Sequence, residues 1–66
     1  MLYITISANT IYFNDLSDEL YEVIKQRYPK LKPTPKKSYC YRIEGTPTEL
    51  YKILHELSYT YDIELS

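Results

Sequence analysis

The apolar period of this 66-residue chain changes from two to about 3.6 and back, and does so twice. Few folds accommodate that order. Leu2, Ile4 and Ile6 alternate with Tyr3, Thr5 and Ser7, as in a strand with one buried face. A second short run over residues 10–13 follows Ala8-Asn9, and Asn tolerates the positive φ of a tight turn, so the first two strands read as an antiparallel hairpin. Leu16, Leu20, Val23 and Ile24 then form one stripe of a helix over about residues 17–28, opened by Asp15, Ser17 and Asp18 and closed by Pro29. Residues 30–37 read as a loop, because Pro33 and Pro35 remove ladder donors. Alternation resumes over residues 38–43 and stops at Gly45.

Thr46-Pro47-Thr48-Glu49 is a helix start with Thr at the cap, Pro at the first helical position and Glu three residues after the cap. Leu50, Ile53, Leu54 and Leu57 make the apolar stripe of that helix, and residues 61–65 alternate as a last strand. The order is ββαβαβ. It predicts an α/β (α+β) fold: a small two-layer sandwich, one domain over residues 1–66, with a mixed sheet of about four strands and two helices on one face. Helical connections predict parallel neighbours among the last three strands. The helix-facing side is assigned Leu2, Ile4, Ile6, Ile11, Phe13, Tyr39, Tyr41, Ile43, Ile63 and Leu65. The other face is assigned Tyr3, Thr5, Tyr12, Cys40, Arg42, Asp62 and Glu64. A shift of thirty residues also aligns Glu19-Leu20-Tyr21 with Glu49-Leu50-Tyr51 and Phe13 with Ile43, as a duplicated strand–helix unit would.

So short a chain has a thin stability margin, and neither disulfide nor metal is expected to supplement it. Cys40 is the single cysteine, and with His55 it cannot complete a tetrahedral site within one chain. One unpartnered thiol fits a reducing compartment, and the cytoplasm is the expected location. The N-terminus lacks the basic lead of a signal peptide, and no apolar run reaches the ~20 residues of a membrane span. With a single Gly, a glycine-rich phosphate cradle is excluded. No Ser-centred elbow, paired-His motif or Cys-x-x-Cys is present, so no enzymatic activity and no cofactor are expected.

Charge is segregated along the chain. Seven of the eight Lys and Arg residues fall within residues 23–43, and all nine Asp and Glu fall outside. Nine Tyr accompany one Phe and no Trp. Tyrosines combined with clustered carboxylates suit a protein interface, where aromatics anchor and charge steers. The expected function is therefore non-catalytic docking on another protein with a basic surface, as a regulator or inhibitor. The contact residues expected are Tyr3, Tyr12, Glu44, Glu49, Glu56, Asp62 and Glu64. Richness in Tyr, Ile and Lys suits an AT-rich genome such as a phage's or mobile element's, and places host nucleic-acid machinery, including a defence system, among the targets. The alternative is RNA or single-stranded DNA binding through Lys30, Lys32, Lys36, Lys37 and Arg42, with Tyr rings available for stacking. Part of the basic excess has a structural explanation, since Lys25 and Arg27 sit where a helix C-terminus favours cations. A half-exposed sheet face and unpaired edges also admit a homodimer.

Overall fold

A computed structural model describes residues 1–34 and 37–65, and for residues 37–40 the backbone alone. The elements are β1 (Leu2–Ser7), β2 (Thr10–Asn14), α1 (Asp18–Arg27), β3 (Lys32–Thr34), β4 (Lys37–Glu44), α2 (Pro47–Ser58) and β5 (Ile63–Leu65). They form a five-stranded mixed sheet in the order β3-β4-β2-β1-β5 with two helices, which is the expected α+β class with one strand more.

Local chemistry accounts for the boundaries. The β1–β2 hairpin turns at Ala8 and Asn9, with Ser7 opposite Thr10. The positive φ falls on Ala8 (53°) rather than on the expected Asn9. A positive φ at the first central position matches the twist of the flanking strands, and the Asn9 carbonyl accepts from the Gly45 N–H at 3.0 Å. Asp15 takes the second positive φ (56°) and turns the chain into α1, where the Ser17 hydroxyl caps the Leu20 N–H at 3.2 Å. The expected cap of α2 is present in full: Thr46 Oγ1 accepts from the Glu49 N–H, and Glu49 Oε1 accepts from the Thr46 N–H.

The added strand is β3. Residues 32–34 lie within the stretch read as a loop, yet they pair antiparallel with β4, with Lys32 opposite Arg42 and Pro33 opposite Tyr41. Pro33 is tolerated because β3 is an edge strand. This strand changes the pairing. β2 and β3 run in the same direction across α1, as a helical connection requires, but β4 lies between them and is antiparallel to both. Across α2, β4 and β5 are also co-directional, but β2 and β1 separate them. The expectation of parallel neighbours is corrected accordingly: β5 pairs parallel with β1, and that is the only parallel ladder among the described residues.

One core cluster joins Leu2, Ile4, Ile11, Phe13 and Ile43 of the sheet to Leu16, Leu31, Ile24 of α1, and Leu50 and Leu57 of α2. Tyr41 is half-buried and stacks on Tyr21 of α1, with ring centroids 4.3 Å apart. Two side chains assigned to the core depart from it. Ile6 remains 45% exposed and Leu65 61%. Tyr39 and Cys40 lie outside the described side chains.

Candidate docking surface

The departures of Ile6 and Leu65 have one cause. β5 is three residues long and pairs only with the first half of β1, with Leu2 opposite Ile63 and Ile4 opposite Leu65. Ile6 therefore lies beyond the end of β5. Helix α2 buries Leu50 and Leu57 in the core, and Leu54 beside them is half-buried. A trough is left between the flank of α2 and the end of β1 and β5. It forms a cavity of about 250 Å³ lined by Ile6, Ala8, Pro47, Leu50, Tyr51, Leu54 and Leu65. A second depression of about 340 Å³ continues along Tyr51, Leu54, His55, Ser58, Ile63 and Leu65. Tyr51, Leu54 and Leu65 belong to both, so the two form one apolar strip beside the β5 edge.

Tyr51 is 76% exposed, more than Ile6 or Leu65. Its counterpart in the thirty-residue alignment is Tyr21, which stacks on Tyr41. Among the described residues Tyr51 has no such ring partner on the sheet. Isolated exposed apolar side chains are ordinary, but Ile6, Tyr51 and Leu65 converge on one concavity. At the far end of α2 the Tyr59 hydroxyl lies 2.7 Å from His55 Nε2, and the two rings meet edge to face at 4.9 Å. His55 is thus engaged with its own helix.

The sequence-derived contact residues fall into separate groups. Tyr3 and Tyr12 lie on the sheet face away from the helices, Tyr3 exposed and Tyr12 half-buried. On that face Tyr3 neighbours Glu64 and Asn14, and Tyr12 neighbours Thr5 and Arg42. Three of the five carboxylates are engaged within the chain. Glu44 accepts from Arg42 Nε at 3.1 Å and pairs with Lys32 at 3.4 Å, and these cations hold its carboxyl below the usual range. Glu49 is held low too, first by the Thr46 N–H and hydroxyl of the cap and then by Lys30 at 3.6 Å. Glu56 accepts from the Tyr28 hydroxyl at 2.7 Å. Burial first, and then this bond to a carboxylate, push the Tyr28 hydroxyl up to about 12. Asp62 and Glu64 are exposed at the β5 edge and enter no ion pair among the described residues.

The cations are dispersed by the same contacts. Lys25 Nζ donates to the carbonyls of Pro29 (3.0 Å) and Leu31 (2.6 Å), closing the end of α1. Arg42 donates to Glu44 and, through Nη1, to the Pro33 carbonyl at 2.7 Å. Lys30 and Lys32 remain about half exposed within their ion pairs. Lys36 lies outside the described residues, as does the side chain of Lys37.

Ile6, Pro47, Tyr51, Leu54 and Leu65 are the surface residues that sequence reasoning missed. One signal for them was legible. Pro47, Tyr51, Leu54 and Ser58 follow helical spacing of four, three and four residues, a second stripe beside the core stripe of α2. Among the described residues no helix is long and apolar enough to cross a membrane. Comparison with protein-family models, with curated proteins and with solved structures finds no match.

Proposed function

We propose that this protein is a non-catalytic docking module that regulates or inhibits another protein by binding it through the apolar strip between α2 and β5. The observation that carries the reading is the convergence of Ile6, Tyr51 and Leu65, three large exposed apolar side chains, on one concavity. Aromatic and aliphatic anchors in a concave site are the usual energetic centre of an interface. Asp62 and Glu64, exposed at the same edge of the sheet and in no ion pair among the described residues, suit a partner with a basic surface. Three of the carboxylates first assigned to the interface, Glu44, Glu49 and Glu56, serve internal contacts instead and have a smaller part in this reading.

The test is affinity capture from a host extract with wild-type protein, Tyr51→Lys and Leu65→Lys, each confirmed folded by circular dichroism. A partner retained by wild type and lost from both variants supports docking at the strip. Equal capture by all three moves the interface elsewhere. The nucleic-acid reading keeps one favourable observation, the half-exposed Lys32, which lies opposite Arg42 and so on the open sheet face that bears Tyr12. Titration with single-stranded RNA or DNA at low and moderate salt separates the two, since phosphate contacts give a steep salt dependence.

A further inference from the structure

We propose that β5 is a receptor strand: it accepts an extended segment of the partner as a sixth strand, and that segment alternates apolar with basic residues. The inference rests on the docking reading and specifies how the partner is held. Four observations converge on it. β5 ends the sheet, so among the described residues its outer row of N–H and C=O groups pairs with no strand. Such a row is a template for strand addition. The strip runs directly beside that edge on the helix side, where Ile63 and Leu65 already line it. A strand laid along β5 would direct every second side chain into the strip. Glu64 falls on the opposite face of the same edge, Asp62 is exposed just before it, and among the described residues no Lys or Arg lines either depression.

Charge selects the occupant. A second copy pairing β5 with β5 about a twofold axis would set Glu64 against Glu64, and like charges directly opposite are destabilising. The β3 edge of a second copy is also a poor match, because Pro33 lacks the N–H that pairing uses. A heterologous strand with Lys or Arg opposite Glu64, flanked by apolar residues opposite Ile63 and Leu65, satisfies the ladder, the strip and the carboxylates together. Three residues form too short a ladder to hold a partner by backbone bonds alone, so the strip supplies the anchoring and β5 the register.

The test uses the full isotope-labelled chain and three peptides of eight residues each: alternating lysine and valine, the same alternation with glutamate for lysine, and a shuffled lysine–valine peptide. The lysine–valine peptide is expected to shift the amides of residues 63–65, slow their hydrogen exchange, and shift the methyls of Ile6, Leu54 and Leu65. Glu64→Lys is expected to weaken that peptide by about tenfold and to transfer preference to the glutamate peptide. Methyl shifts in the strip with unmoved β5 amides would overturn strand addition while leaving docking intact. Equal affinity for the lysine and glutamate peptides would overturn the basic specificity. If no peptide gives a saturable shift, both this inference and the docking reading fail. Peptide-independent self-association that moves the β5 amides would make a second copy the occupant and also overturn the proposal.

Discussion

The two edges of the sheet are built in opposite ways. At the β3 edge the strand carries Pro33 and Lys32, both of which discourage pairing with another chain. That edge is also anchored to the body of the protein. Leu31, immediately before β3, is fully buried, Arg42 donates to the Pro33 carbonyl, and Lys32 pairs with Glu44. At the β5 edge the strand is Ile63-Glu64-Leu65, with no proline or lysine, an apolar strip alongside, and carboxylates that pair with nothing described. A small domain gains little by leaving apolar surface at an unguarded edge, and this contrast with the guarded edge is what supports the proposal that a partner docks at β5.

The comparison also explains the charge segregation. Lys30, Lys32 and Arg42 of the basic middle meet Glu44 and Glu49 of the acidic flank on the β3 side. Exposed pairs of this kind add little to stability, but they offset part of the positive charge there. Asp62 and Glu64 at the other edge have no such cation among the described residues.

The largest expected effect compares the anchors of the two edges. Leu31→Ala removes a fully buried side chain and should cost about 2–5 kcal/mol in thermal or urea unfolding, enough to threaten a domain of this size. Leu65→Ala, at a position 61% exposed, should cost less than about 1 kcal/mol. A loss at Leu65 as large as at Leu31 would make the strip part of the core and would remove the contrast.

Tyr28→Phe should cost about 1 kcal/mol at neutral pH, because it removes the hydroxyl that bridges the end of α1 to Glu56 of α2. The pH dependence has a definite sign. The folded value is raised from 10.0 to about 12, so this stabilisation is complete below the ordinary tyrosine range and is lost as pH rises through about 12. Wild type should therefore weaken between these values more steeply than Tyr28→Phe. Parallel alkaline limbs would show that the bridge is absent in solution.

The smallest effect is expected on the acid side. Hydrogen bonding from Arg42 first, and then Lys32, hold Glu44 below its ordinary value, so its contribution is present above that value and disappears as pH falls through the folded one. Glu44→Gln should flatten the acid limb of an unfolding curve slightly and loosen β3, read as faster amide exchange at residues 32–34. Unchanged exchange would show that Pro33, Leu31 and the ladder hold this edge without the ion pair.

How far the sequence could be read depended on the range of the interactions involved. Caps, turn residues and apolar periods act within a few residues, so the two helices, the β1–β2 hairpin, β4 and the two-layer class were legible. The capping box at Thr46 and Glu49 is a local device and appeared as expected. β3 was not legible, because three residues with a proline at the centre carry no alternation, and only an edge position beside β4 makes them a strand. The engagement of Glu49 by the Thr46 cap was local and legible, whereas Lys32 on Glu44, Lys30 on Glu49 and Tyr28 on Glu56 lie 12, 19 and 28 residues away and were not.

By itself, then, the sequence determined every element but β3, the order of those elements and the separation of basic from acidic segments, since each follows from neighbouring residues. Only the tertiary structure decided which strands are neighbours. That choice placed β5 against β1 rather than β4, left Ile6 and Leu65 beyond the cover of α2, and put the unused carboxylates on the open edge. The physical reason is that burial on a strand depends on what lies across the layer, and alternation in sequence reports only that two faces differ.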